Sequence, residues 1–509
     1  MDLQGKKILI FQQRKWAKNI GHFLARKLQA EGCELAALTL KRTTHSNTTT
    51  QQEVKYSLII NNDEIMSDPK SYLQNDDFSL EEICSELGVD TIWPIVMSLR
   101  NHVRSYQDKY YYGYKQNVSD EDIVCYVKAL YKCILKIFND FKPDLIIAPN
   151  FVSLPHIMFN LYAGKHGVKM LGITDSKVRG YNIFVTDYKS STGAFYDRVD
   201  ELNRNNILHS LSSGKARQYI IDSRKKLKIP DYFEKFVSEK EKGTNFWQRI
   251  KKELAPYYHI YCWYFQKNTR MNFLKSTGVT IDYRPPKIIL RDHYSRKKYQ
   301  KFMDNFKYYP FDKLNKFVYF PLQFQPEASI DVMAPFFSNQ IEVARLVAMS
   351  LPNGYVLAVK EHPAMIGLRT PSYIEKIDRT PNVKLIDYRI SSEKVLERAD
   401  LIISPNSTSL AEAAFLRKPA IQLGDLGTTL KLPNVFKHSD MTTLTKKIKE
   451  VLEFNLHTKE YENKLENFVA AVFDTGFNVN YMSIWEKGDK EKIENIWQAY
   501  KRELERRFK

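Results

Sequence analysis

The sequence predicts an α/β protein: two Rossmann-like domains facing each other across a cleft, with helical insertions and a bridging helix at the C-terminus. Three observations predict it. Short apolar runs such as Ile8-Leu9-Ile10-Phe11 and Leu401-Ile402-Ile403 read as parallel strands buried on both faces. Such runs alternate with helical spacing in residues 1–204 and again in residues 316–480. A length of 509 residues also exceeds what one core supports.

In order, residues 6–11 form a strand, residues 16–31 a helix with Ile20, Phe23, Leu24 and Leu28 on one face, and residues 34–40 a second strand. The Thr-rich stretch 43–52 reads as a loop. Residues 79–141 read mainly as helix, with Ser119 and Asp122 at a capped start and a Tyr-rich loop at 106–114. Strands near 145–148 and 169–173, with a helix between them, complete a first domain over residues 1–204.

Residues 205–315 are basic, aromatic and mostly helical, with an extended break at Pro285-Pro286. A second α/β series fills residues 316–480. Its strands are expected near 317–320, 355–360, 383–385, 401–404 and 420–423, and its helices at 340–350, 392–398 and 409–416. The segment 481–509 ends in one helix whose stripe is Ile493, Ile496, Trp497, Tyr500 and Leu504, expected to pack back on the first domain.

Composition narrows the class. Net charge is +18, and the segment 215–316 holds 25 Lys/Arg against 10 Asp/Glu. A local basic belt calls for a local anionic partner. From Phe246 to Lys267, Trp247, Tyr257, Tyr258, Tyr261, Trp263, Tyr264 and Phe265 interleave with Arg249, Lys251 and Lys252. Three readings stand, in this order: core helices with solvated basic faces, an anionic membrane surface, and single-stranded nucleic acid. The first residues run straight into a strand, so no leader is expected, and no apolar run has spanning length. Five scattered cysteines without a Cys-x-x-Cys pair suggest neither zinc nor disulfides, and fit a cytoplasmic protein.

Two motifs at strand ends carry the chemistry. Lys360-Glu361-His362-Pro363 closes one strand, and Asn406-Ser407-Thr408-Ser409 opens a helix that carries Glu412. A helix start offers N–H groups and dipole potential to an anion, and Ser407 and Thr408 add hydroxyls. Glu412, one turn on, suits ribose hydroxyls. The same residues also make an ordinary N-cap and capping box, and both readings stand. His362 can donate to a phosphate or protonate a leaving group; otherwise it is a surface histidine beside a turn proline.

Glu327, after Gln325-Pro326, is either a carboxylate for a sugar or acceptor hydroxyl or a plain loop residue. In the first domain, Gly21-His22 and Asp175, with Asp187 behind it, are acceptor-side candidates against packing or loop roles. No P-loop, no Gly-x-Gly-x-x-Gly after a strand and no Asp-x-Asp after an apolar strand occurs. A metal-independent reaction without a cofactor is expected.

The ordered set Tyr319-Phe320-Pro321-Leu322-Gln323-Phe324-Gln325-Pro326-Glu327, Val359-Lys360-Glu361-His362-Pro363, Asn406-Ser407-Thr408 through Glu412, Lys418-Pro419 and Leu423-Gly424 resembles the capsule polysaccharide synthesis family. That family includes bacterial capsule Kdo transferases. More distantly the set is similar to polysialyltransferases and teichoic-acid polymerases. The resemblance covers roughly residues 316–440. It implies a GT-B fold with the donor in the C-terminal domain, and transfer from a nucleotide-sugar, often a CMP-sugar, to a surface polysaccharide or glycolipid acceptor. It further implies that His362 contacts the donor phosphate, that Ser407 and Thr408 bind it, and that Glu412 holds the ribose.

The expectation is therefore a GT-B glycosyltransferase with His362 and Glu327 as catalytic candidates. Lys360, Pro363, Asn406, Ser407, Thr408, Ser409 and Glu412 are its donor-binding candidates. His22 and Asp175 are its acceptor-side candidates, and no nucleic acid is expected as partner. The rivals are a polyol-phosphate transferase, a sugar-nucleotide epimerase and a non-catalytic capsule-assembly protein.

Overall fold

The computed structural model describes residues 3–99, 118–204, 210–227, 246–265, 285–488 and 490–508. The Tyr-rich loop expected at 106–114 lies outside these residues, as does part of the basic segment. The first sheet joins β1 (Lys7–Gln12), β2 (Glu34–Thr39), β3 (Leu58–Asn61), β4 (Leu145–Ile147), β5 (Lys169–Asp175) and β6 (Tyr181–Val185). The second joins β7 (Phe317–Pro321), β8 (Val356–Lys360), β9 (Val383–Ile386), β10 (Leu401–Ser404), β11 (Ala420–Gln422) and β12 (Val435–Lys437). A last strand, β13 (Phe477–Asn478), returns to the first sheet.

The first sheet runs β13-β6-β5-β4-β1-β2-β3, parallel from β5 to β3 and antiparallel at β6 and β13. The second runs β12-β11-β10-β7-β8-β9 and is parallel throughout. Both orders are Rossmann-like, so the molecule has the GT-B arrangement of two such domains. Ile8, Ile10, Leu9 and Phe11 are fully buried because helices cover both faces of β1. In each sheet the strand order reverses beside the first strand, between β1 and β4 and between β7 and β10. Ligands of open α/β sheets bind outside the carboxyl ends at such switch points.

The chain crosses back to the first domain before residue 480. Helix Lys459–Thr475 packs on helices Ala194–Arg204 and Ser213–Lys225, and β13 then pairs with β6. The sequence boundary at 480 thus falls after the return has begun. Helix Lys490–Arg507 lays Ile493, Ile496, Trp497, Tyr500 and Leu504 on Ile8, Ile10, Leu145 and Ile147, which is the stripe read from the sequence. Each such side chain contributes about 1.5–3 kcal/mol of gross burial.

One apolar core runs from Phe11 and Phe159 through Phe195 and Phe468 to Leu410 and Tyr319, so it passes between the domains. Polar contacts reinforce it. The Gly427 N–H donates to Lys189 O (2.9 Å), Tyr196 and Thr428 share a 2.8 Å hydroxyl bond, and Lys431 pairs with Asp200 (2.6 Å). A Cβ on Gly427 would lie 2.2 Å from Ser190 O, so only glycine lets these loops meet.

Two expectations are corrected. The stretch read as a loop at 43–52 contains helix Arg42–Thr50. Its threonines bond back one turn, Thr48 to Thr44 O (2.8 Å) and Thr50 to Ser46 O (2.8 Å), which satisfies their hydroxyls within the helix. In the basic segment, helix Phe246–Phe265 pairs with helix Pro286–Asp304 through Tyr257 and Tyr294 (2.9 Å) and through Glu253 with Lys297. Trp247, Leu254, Tyr258, Tyr261 and Phe265 are 56–75% exposed, so this helix is no core helix with a solvated basic face.

Candidate functional site

The carboxyl end of β8 splits its three polar residues between two tasks. Lys360 shares a face of the sheet with Ala358 and is buried; its Nζ donates to Ile390 O (2.9 Å) and Ser392 Oγ (3.1 Å). Burial pushes its pKa down to about 8, and the charge of Glu412 offsets part of that.

Glu361 turns to the other side. It pairs with Arg369 at 2.7 Å, and both side chains are 1% exposed. Arg369 also donates to Gln323 O (2.5 Å), so this pair fixes the loops after β7 and β8 together. Burial raises the Glu361 carboxyl, and the Arg369 guanidinium offsets part of that push.

His362 follows, half-buried, its N–H given to Glu361 Oε1 (2.6 Å) and its ring edge-on to Phe324 at 6.0 Å. Its Nδ1 accepts from the Ala364 N–H (3.2 Å), which assigns the ring proton to Nε2. Burial, then the charges of Arg369 and Lys360, push the imidazole down to about 4. It is therefore a neutral donor at pH 7. Pro363 starts the short turn Pro363–Met365 that supports it.

The other motif opens helix Thr408–Phe415. Ser407 is its N-cap and accepts from the Ser409 N–H (3.2 Å). Asn406 is not positioned as a donor-binding residue. Its amide is buried, donates to Ser329 O (2.6 Å) and accepts from the Leu426 N–H (3.2 Å), tying two loops together. Gly424 allows this, since a Cβ there would lie 2.5 Å from Asn406 Nδ2. Ser409 is buried beneath the helix start.

Glu412 is half-buried, and burial pushes it up to about 7, with Lys360 and Lys177 pulling it back and Glu393 adding to the rise. Strand β7 stands between β8 and β10, so the segments that carry His362 and Ser407 leave the same carboxyl end of the sheet, on either side of β7.

Glu327 caps the helix Ala328–Asp331 in the loop after β7 and accepts from Ser329 Oγ (2.8 Å). Its side chain is exposed, so solvent softens the upward push that the surrounding protein gives its carboxyl.

From the first domain, Asp175 at the end of β5 comes to the same place. Asp175, Lys177 and Arg179 line a cavity of about 40 Å³ with Thr408 and Glu412 of the second domain. Lys177 Nζ lies 2.9 Å from Asp175 Oδ2. His22 sits elsewhere: its ring pairs with Glu53 (3.1 Å) ahead of β3, a partly exposed contact that explains it without an acceptor. Asp187 is a turn hub, accepting from Lys189, Ser191 and Thr192 at 2.6–3.0 Å.

Sequence reasoning missed Arg369 and Lys177. The first is an unmarked residue after a turn. The second had one trace, the alternation Lys177-Val178-Arg179 before Gly180, which marks a hairpin tip presenting two cations on one side.

No family model matches the chain, and no curated protein matches it. Solved structures resemble it loosely. A Kdo 2,7 transferase, KpsC of Thermosulfurimonas dismutans, is 10% identical at a TM-score of 0.34, covering 72% of this chain and 89% of that one. The UDP-GlcNAc 2-epimerase of Neisseria meningitidis, bound to UDP-GlcNAc, is 13% identical at 0.23, covering 92% and 99%. The N-terminal domain of a trehalose-6-phosphate phosphatase of Candida albicans is 12% identical at 0.30, covering 95% and 98%. Likenesses at these scores carry no argument about activity, and the site must speak through its own residues.

Proposed function

We propose that this protein is a glycosyltransferase. It moves a sugar from a nucleotide-sugar donor to a growing capsule-type polysaccharide or a lipid-linked acceptor. The observation that carries the reading is the common carboxyl end of the sheet from which His362, a neutral donor through Nε2, and the Ser407-Thr408 helix start emerge, after the strands on either side of β7.

In this reading the donor phosphate sits at the helix start and accepts from His362 Nε2–H. Glu412 receives ribose hydroxyls. An acceptor hydroxyl attacks the anomeric carbon as the bond from that carbon to the phosphate oxygen breaks. The electron pair stays on the nucleotide, where the N–H groups stabilise the growing charge. The acceptor's proton passes to the carboxylate of Glu327 or of Asp175.

Thermal shift with CMP-, UDP-, GDP- and CDP-linked compounds tests the donor site, because a bound ligand raises the melting temperature by mass action. Stabilisation by a CDP-polyol alone would favour the polyol-phosphate transferase. Turnover of a nucleotide-sugar without acceptor would favour the epimerase, and no stabilisation at all the non-catalytic role.

The same reading places the enzyme peripherally on an anionic membrane, near a lipid-linked acceptor. No helix among the described residues is long and apolar enough to cross a membrane. Trp247, Leu254, Tyr258, Tyr261 and Phe265, however, recur at spacings of seven, four, three and four, which is one helix face. Flotation with anionic vesicles, lost in a Trp247→Ala, Phe265→Ala double variant, supports this placement; equal flotation with zwitterionic vesicles contradicts it.

A further inference from the structure

We propose that Lys177 is the cation that meets the donor phosphate from the first domain, a role that rests on the nucleotide-sugar reading above. The reason is a count of charge. A nucleotide-sugar brings at least one full negative charge to the helix start. The second domain answers it weakly. His362 is neutral. Lys360 spends hydrogen bonds on Ile390 O and Ser392 Oγ, and its charge faces Glu412. Arg369 is committed to Glu361 and to Gln323 O. Of the groups at these two strand ends among the described residues, the helix start itself is left, equivalent to about half a charge.

Across the cleft, Lys177 has the opposite character. Its side chain is only 12% exposed, yet its ammonium makes a single hydrogen bond among the described residues, to Asp175 (2.9 Å). An ammonium has three donors. Its charge reaches both Glu327 and Glu412 in the facing domain, and it shares a cavity wall with Thr408.

The tip between β5 and β6 that carries it is fixed. Ser176 Oγ donates to Tyr181 O (2.7 Å) and accepts from the Val178 N–H (3.1 Å), and both Ser176 and Val178 are fully buried. Lys177 itself holds φ +68°, a left-handed backbone uncommon for a residue with a Cβ. Such outliers gather at functional sites. The ammonium rests on Asp175, and a phosphate at the helix start would give it a second anion to hold.

The left-handed backbone supplies a clean test, because glycine adopts it freely and Lys177→Gly leaves the fold unstrained. Calorimetry compares cytidine with CMP, uridine with UDP and guanosine with GDP, on the full chain. In the pair that wild type binds, Lys177→Gly is expected to weaken the nucleotide tenfold or more and leave the nucleoside unchanged. Lys177→Arg should restore nucleotide affinity to within about threefold, since it keeps a charged donor. Asp175→Asn, which removes the resting partner, should tighten it.

Equal nucleotide affinity in Lys177→Gly and wild type overturns the role while the nucleotide reading survives. An equal loss for nucleoside and nucleotide also overturns it, since that is a structural effect. If wild type binds no member of the panel, the donor reading itself fails.

Discussion

Lys360 and Lys177 flank one cleft from opposite domains. Lys360 stands in the motif that first draws the eye, at the end of a buried parallel strand. Its ammonium is enclosed, donates to a carbonyl and a hydroxyl, and feels the charge of Glu412. Lys177 stands at a hairpin tip in the other domain, with one carboxylate partner and the helix start across from it. A charge in a motif is available to a ligand only after its existing partners are counted. By that count Lys360 mainly builds the second domain, and Lys177 is left to act.

The sharpest way to break this contrast is to remove what fixes the β8 loop. Glu361→Ala leaves Arg369 charged and buried without its carboxylate, and is expected to cost about 3–5 kcal/mol in urea unfolding. A loss below about 1 kcal/mol would mean that the pair does not hold the loops after β7 and β8. Next is His362→Ala, where loss of a preorganised donor should lower the transfer rate about 100-fold with the melting temperature preserved. Full activity would remove His362 from the site.

Lys360 and Glu412, coupled through their charges, also titrate in opposite senses. Lys360 has a folded pKa of about 8, below its ordinary 10.5. The unfolded chain therefore holds more protons between these values, and stability rises with pH across that window. Lys360→Met should flatten a rise on the order of 3 kcal/mol. Glu412 lies above its ordinary value, at about 7 against 4.5, so the folded chain holds the extra proton and stability falls as pH climbs from about 4.5 to 7. Glu412→Gln should flatten that fall, which solvent screening makes the smaller of the two. The smallest effect belongs to His22→Ala: a partly exposed pair with Glu53 predicts under about 1 kcal/mol and unchanged transfer.

The fold could be read from the chain wherever apolar runs make the strands. Phe317 to Phe320, Leu401 to Ile403 and the final Ile493–Leu504 stripe all fall where periodicity puts them. Composition misled where hydroxyls satisfy themselves, as in Arg42–Thr50. In the site, the strand-end pattern picked out His362 and Ser407, which follow β8 and β10 at one end of the sheet. It also ranked Asn406 with them, because an amide bound to two backbone loops has the same letter as one aimed at a ligand. The place of Lys177 in the site was not legible from its one trace in the sequence, since only the packing of the two domains sets it and Thr408 on one cavity.

A crystal structure with the preferred nucleotide bound tests the central claim most directly. The account predicts phosphate oxygens about 2.7–3.2 Å from His362 Nε2 and from the Thr408 hydroxyl or amide. A phosphate bound away from that helix start, with His362 making no contact to it, would contradict the account.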